Sequence, residues 1–431
     1  MYTSMFRKAM LGDTATLSLD LSSGSLPTAV TFTRADSTAR ATFINASGYV
    51  QTVASAGDPR FDYTGGVAKG LLVEAVAVNY MLQSTTLDPH STFNMRTIAT
   101  GSVPDPEGTT SKARIIAADG ATNIHGRYLL TTAGTNTTIT ISIFAKKNGY
   151  KYLYFADISG SRSAVRFDLD DGTTSNSAGV GFVSASATSY PGGWWRCSMV
   201  ASVVASTSYG WSYVGVPTFG TTFAAVGATY QGTNTDSDGI YCYGFQVEAG
   251  SVASSLIKTT TTSLTRLADD AVIRSTAWTG LYSKPGTIVV EYYRGEYGAG
   301  DRSVLAIDTA ATKHIHLKHA NASAASGIYN SAGSGVANKI AGNVTGLNKA
   351  AFNWSSANPS TIKYALNGNA TVVSGTSDIG ATLGTWMTIG SASTTGVSGS
   401  GTWEGYLNNS IKSVKYYSEL LSDDDMIAKT T

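Results

Sequence analysis

The sequence predicts an all-β protein: two antiparallel β-sandwiches after a small irregular N-terminal β module, with one short C-terminal helix. Three observations carry this. Apolar and hydroxyl side chains alternate over many short stretches, clusters of Gly, Ser, Thr and Asp separate those stretches, and only the final residues have the cap and charges of a helix. The 431 residues are long enough for each sandwich to bury its own core.

Taken in order, residues 1–84 are punctuated by Gly, Ser and Asp between short apolar runs such as Gly70-Leu71-Leu72-Val73, which predicts a small connecting or attachment module. Residues 85–275 alternate more cleanly. In Thr138-Ile139-Thr140-Ile141-Ser142-Ile143 the isoleucines share one face and the hydroxyls the other, the pattern of a half-buried strand. Tyr152-Leu153-Tyr154-Phe155, Trp194-Trp195-Arg196-Cys197 and Ile240-Tyr241-Cys242-Tyr243 follow, separated by turns, and the series predicts a sandwich. Residues 276–431 repeat the pattern: Gly286 to Tyr293 reads as a strand, and Ile362 to Leu366 runs into Asn367-Gly368, a hairpin turn, before Val372-Val373 returns. At the end Ser422 caps a helix whose first turn holds Asp423, Asp424 and Asp425 and whose last turn holds Lys429.

Composition excludes several classes. Thirty basic residues face twenty-nine acidic ones and no concentrated basic run exists, so no nucleic-acid partner is expected. No apolar stretch approaches the roughly 20 residues of a membrane span, and the N-terminus does not read as a signal peptide, so membrane insertion is not expected and folding is assigned to a cytoplasm. Cys197 and Cys242 cannot form a disulfide framework and read as buried reduced thiols.

Motifs for hydrolytic or phosphoryl-transfer chemistry are missing: there is no G-x-S-x-G, no H-E-x-x-H and no P-loop. Glu291 and Glu296 fall on opposite sides of one strand, which is wrong for a pair of glycosidase carboxylates. No catalytic residue is assigned. Asn234, Asp236 and Asp238 alternate ahead of Gly239 like the start of a calcium loop, although Phe245 stands where the bidentate Glu would be. His314 and His316 share a strand face, a pair suited to a transition metal on a threefold axis, or else solvated histidines on an outer face. Trp194, Trp195, Tyr209, Trp211 and Tyr213 are the candidate sugar platform, with the reservation that adjacent aromatics point to opposite faces and one of each pair is core.

A family likeness is carried by an ordered run of short motifs. Thr31-Phe32-Thr33-Arg34-Ala35, Ala41 to Asn45, Gly48 to Gln51, Pro59-Arg60-Phe61-Asp62-Tyr63 and Gly70 to Glu74 resemble the opening module of bacteriophage virion proteins. Pro104 to Gly108, Phe167 to Asp170, Gly193-Trp194-Trp195-Arg196-Cys197, Phe245 to Gly250, Thr259 to Arg266 and Ala268-Asp269 resemble the carbohydrate-binding-module-like sandwich of phage head-spike and fibre proteins. Ala365 to Gly368, Trp386 to Gly390, Trp403 to Leu407 and Leu420 to Asp423 are similar to laminin-G/concanavalin-like domains. The resemblance implies jelly-roll sandwiches, a non-catalytic place in the virion as a tail or head fibre or spike, other virion proteins bound through the N-terminal module, adhesion to host surface glycan, and a homotrimer. A purely architectural decoration or adaptor protein and a glycan hydrolase are the alternatives.

Overall fold

The computed structural model describes residues 15–96, 99–100, 102–110, 112–132, 134–158, 163–205, 207–217, 222–224, 227–274, 285–295, 302–310, 313–319, 325–329, 335–341, 344–355, 360–377, 386–391 and 405–431. Among the described residues every strand pairs antiparallel with its neighbours, and the other elements are a short 3-10 turn and the helix Asp423–Thr430. Ser422 caps that helix, its hydroxyl accepting from the Asp425 amide at 3.2 Å. Glu296 and Trp403 lie outside the described residues.

The chain forms two compact units, and neither is contiguous. One comprises residues 1–35, 57–75 and 268–431; the other comprises 36–56 and 76–267. The stretch 1–84 is therefore not a module by itself, and the expected three-module division is replaced by two interleaved units. The reason is long-range pairing: Leu17–Asp20 pairs with Asn409–Tyr417 and Val30–Thr33 with Asp270–Arg274 in the first unit, while Ala77–Asn79 pairs with Leu264–Arg266 in the second.

The first unit packs two sheets. One runs Val373–Ser377, Ser360–Leu366, Gly346–Trp354, Gly286–Arg294, Asn409–Tyr417, Val67–Val73 and Phe61–Thr64, and the other runs from Val30–Thr33 through Arg302–Ala310 and Lys313–His319 to Gly335–Ala341. Alternate residues Ile288, Val290 and Tyr292 enter the core with Phe352, Trp354, Ile315 and Leu317, each large apolar side chain contributing about 1.5–3 kcal/mol on burial. Asn367 and Gly368 both have positive φ (48° and 65°) and the Asn369 amide closes their turn on the Leu366 carbonyl at 2.9 Å, but the flanking strands pair only from Tyr364 with Val373, so the turn opens a longer loop rather than a two-residue hairpin. At Gly70 (φ 109°) a Cβ would stand 2.0 Å from the Ile411 carbonyl oxygen, so only glycine lets these strands meet.

A buried ionic cluster joins the three stretches of this unit. Arg34 Nη1 lies 3.0 Å from Asp269 Oδ1 and Arg60 Nη1 2.5 Å from Glu74 Oε2, while Arg60 Nη2 bonds Asp269 Oδ2. The Glu74 amide donates to Asp269 at 2.9 Å and the Asp269 amide to the Glu74 carbonyl at 3.0 Å. Burial alone would lower the Arg60 pKa, but the two carboxylates outweigh it and hold the guanidinium charged.

In the second unit one sheet runs Thr174–Ala178, Ala164–Asp168, Tyr152–Asp157, Ser208–Val216, Thr122–Thr132, Gly227–Gln231 and Thr222–Ala224, with Ser91–Phe93 also on Thr122–Thr132. The facing sheet runs Phe182–Tyr190, Trp194–Ser202, Thr138–Asn148, Gly239–Ala249, Arg114–Ala117 and Ala99–Thr100. Ile139, Ile141 and Ile143 meet Phe155, Phe167 and Tyr213 between them. Cys197 and Cys242 are unbonded and buried.

Candidate functional site

The five aromatic residues proposed for a sugar platform do not form one. Tyr209, Trp211 and Tyr213 alternate along Ser208–Val216 and all face inward, at 5%, 1% and 0% exposure. Tyr213 packs its ring on Phe245 of the opposite sheet at 4.9 Å, with its hydroxyl 3.0 Å from His90 Nδ1. Trp194 turns the other way, into a smaller core with Val50, Phe144, Tyr243 and Leu256, and its indole N–H donates to the Pro104 carbonyl at 2.9 Å. Trp195 is partly exposed, but its indole donates to the Leu169 carbonyl at 2.9 Å and its ring lies over Gly172. Adjacent tryptophans do take opposite faces, as the pleat demands. Spacing alone does not say which face meets solvent.

The calcium-like turn holds a side-chain cation. Arg96 Nε donates to Asp236 Oδ1 at 2.8 Å, and its Nη1 donates to the Asn234 carbonyl at 2.6 Å and Oδ1 at 2.7 Å. The guanidinium thus engages the oxygens that a calcium ion would share, and Asp238 sits beyond them against Gly149. On Lys313–His319, Ile315 and Leu317 enter the core as alternation requires. His316 is buried rather than solvated, its Nε2 2.7 Å from Ser303 Oγ, and His314 pairs with Asp308 along the ladder; the His314 side chain lies outside the described residues. Among the described residues no group of three or more His, Cys, Asp or Glu is placed to hold a metal.

What the fold does assemble is the other face of the Tyr152–Asp157 sheet in the second unit. Leu153 and Phe155 point into the gap between the two sheets, and Tyr152, Tyr154 and Ala156 take the other face, where Tyr154 and Ala156 are themselves buried at 2% and 1% exposure. The register sets Ser175 beside Arg166, Arg166 beside Tyr154, and Tyr154 beside Val214. A parallel row sets Ala164 beside Ala156, Ala156 beside Ser212, Ser212 beside Tyr128, and Tyr128 beside Ser91. Phe93 faces Gly126 and stacks on Tyr128, with ring centroids 4.6 Å apart at 15°.

This face has two aromatic sides and a floor of small residues. On one side Arg166 places its guanidinium 4.6 Å from the Tyr152 ring centroid and donates from Nε and Nη2 to Ser175 Oγ at 3.0 and 2.7 Å. Tyr154 is buried here, and burial pushes its hydroxyl up to about 12. On the other side the Phe93–Tyr128 stack and half-exposed Leu130 are partly open to solvent. Between them lie Ala156, Ala164 and Ser212, whose buried Oγ has no hydrogen-bond partner among the described residues. A signal for this face is present in the sequence: tyrosines alternate with Leu and Phe in Tyr152–Phe155, and Arg166 sits between Val165 and Phe167.

No family model matches this chain. No curated protein matches it either. Among solved structures, Ruminococcus gnavus IT-sialidase CBM40 bound to α2,3-sialyllactose is similar at 22% identity, covering 34% of this chain and 83% of that one, with a TM-score of 0.25. The same module bound to α2,6-sialyllactose gives 19% identity over 34% and 84%, at a TM-score of 0.25. Mouse laminin α1 chain domains LG4–5 give 12% identity over 68% of this chain and 85% of that one, at a TM-score of 0.22.

Proposed function

We propose that the chain is a non-catalytic glycan-binding protein of a bacteriophage particle, a fibre, spike or decoration subunit, that holds host-surface sugar on the outer face of the Tyr152–Asp157 sheet. The observation that carries the glycan reading is the set of partly exposed rings at the two margins of that face, Phe93 stacked on Tyr128 on one side and Tyr152 over the buried Arg166 on the other, with the buried small side chains of Ala156 and Ser212 between them. A pyranose has an apolar C–H face and polar edges. Rings can cover the first, while the hydroxyls of the partly exposed Tyr128 and Tyr152 can bond the second. The acids nearest this face, Asp168 and Asp170, are held in ion pairs by Lys151 and Lys147 at 2.8 to 3.4 Å, which suits structure better than acid–base work. The phage assignment rests on the ordered motif run of the sequence. A trimer on a many-copy particle would turn weak single contacts into lasting adhesion.

A glycan array with the full-length protein tests the reading, followed by calorimetry on Phe93→Ala, Tyr128→Ala and Tyr152→Ala. Binding to a defined sugar class that falls about fivefold or more for each variant supports it, since about 1 kcal/mol per lost ring corresponds to that ratio. No binding at any class by the parent protein leaves the architectural role. Shortening of the polysaccharide on incubation would make it a hydrolase.

A further inference from the structure

One flank of the second unit, residues 172–190, is built without charge: no Asp, Glu, Lys, Arg or His occurs in it. The flank holds the last strand of each facing sheet. Among the described residues Thr174–Ala178 pairs only with Ala164–Asp168, and Phe182–Tyr190 only with Trp194–Ser202. Along Phe182–Tyr190 no side chain is buried, and Val183, Ser184, Ser186, Thr188 and Ser189 are exposed. Val180, in the loop between the two strands, is 89% exposed. An edge strand offers its outward N–H and C=O groups to any other strand, and proteins that stay monomeric guard such edges with lysine, proline or an inward-pointing charge. Phe182–Tyr190 contains none of these, and its bulge lies at the start, between Phe182 and Ser184.

The strand's own sequence says which partner fits it. By side-chain class Ser184-Ala185-Ser186-Ala187-Thr188 reads the same in both directions. Laid antiparallel on a second copy about Ser186, it sets Ser184 opposite Thr188, Ala185 opposite Ala187 and Ser186 opposite itself. Residues directly opposite in an antiparallel pair share a face. Hydroxyl therefore meets hydroxyl on the outer face, and alanine meets alanine on the face where Ala185 and Ala187 pack against the core. Ser and Thr pairs of this kind stabilise a sheet, whereas like charges placed opposite one another destabilise it. A surface that meets its own copy about a twofold axis sets each charge near the axis against an equal one, so a flank free of charge is what such a contact requires.

We propose that Phe182–Tyr190 is an interface between two copies of this chain, pairing antiparallel with its counterpart about a twofold axis at Ser186 and joining the two sheets that carry it into one. The contact is isologous and closes two chains, not the three that the resemblance implies; adhesion through several copies needs only more than one. It is independent of the glycan reading, because the Tyr152–Asp157 strand lies in the other sheet of the sandwich. A short strand pair is a small interface, so the dimer is reversible rather than obligate.

Sedimentation equilibrium of the full-length protein over a concentration series tests the interface, and the expected species is a reversible dimer. Ser186→Lys sets two ammonium groups face to face at an exposed position; it should weaken association about tenfold and leave the far-UV circular dichroism unchanged. Ser186→Cys brings two thiols opposite each other, with Cβ atoms about 5 Å apart, and should cross-link on mild oxidation. Ser184→Cys stands four residues from its own copy along the pair, about 14 Å away, and should not. The native Cys197 and Cys242 are buried and leave this readout clear. A chain that stays monomeric throughout the series, an oligomer that Ser186→Lys leaves intact, open-ended aggregation in place of a dimer, or equal cross-linking at the two positions overturns the interface. None of these outcomes bears on sugar binding, which the glycan array reads separately.

Discussion

Replacing Arg60 with alanine removes the centre of the buried ionic cluster. Its guanidinium bonds Glu74 and Asp269, and the side chains of all three are at most 4% exposed. Asp269 would keep Arg34 at 3.0 Å and the Glu74 amide at 2.9 Å, whereas Glu74 would lose the cation bonded to its carboxylate. Removing one member of a buried pair costs about 3–5 kcal/mol, a large part of the roughly 5–15 kcal/mol that holds a domain folded. Urea denaturation followed by near-UV circular dichroism measures the loss, and hydrogen exchange in Val67–Val73 locates it in the first unit. Arg60→Met combined with Glu74→Gln removes both charges and should cost less than Arg60→Ala alone. A loss below about 1 kcal/mol for the single variant, as for a solvated surface pair, would refute the reasoning.

Three other outcomes follow from the packing. Gly70→Ala forces a Cβ to within 2.0 Å of the Ile411 carbonyl at a φ of 109°; the variant should lose about 3 kcal/mol or more, or fail to accumulate, as thermal unfolding will show. Burial, with Arg127 nearby, lowers the His90 pKa to about 4. The folded value lies below the unfolded one, so the stability that comes from keeping His90 neutral is complete above pH 6.5 and is lost as pH falls toward 4, by up to about 3 kcal/mol; His90→Gln should flatten that part of the stability profile. Desolvation raises the pKa of both Cys197 and Cys242, so a thiol reagent at pH 8 should leave the native protein unmodified and label both residues once urea unfolds it.

Much of the fold is legible in the sequence because it is local. The alternation of Ile139, Ile141 and Ile143, the Asn367-Gly368 turn and the Ser422 cap each depend on neighbours a few residues away, and each is present. The division into units is not legible, because the partner of Leu17 is Tyr416 and nothing in either stretch announces the other. The site shows the same divide. Period two correctly groups Tyr209, Trp211 and Tyr213, but whether their face meets solvent depends on Phe245, in a different sheet. The turn at Asn234 and Asp236 reads as a calcium loop until Arg96, from far along the chain, is seen to fill it.

The interleaving also orders the protein's birth. The second unit has all its residues once Leu267 has been made, whereas Leu17 must wait for Tyr416. At about 5–20 residues per second the first strand waits roughly 20–80 s for its partner. Throughout that time Leu17–Asp20 and the free edge of Val67–Val73 lack their partner Asn409–Tyr417, while Val30–Thr33 waits only until Asp270–Arg274 is made, so the first two are open to the wrong neighbour for longest. The first unit becomes whole only after Asn409–Tyr417 has been made, and lesions near residue 410 should therefore appear as aggregation of newly made chains before they appear as instability of finished ones.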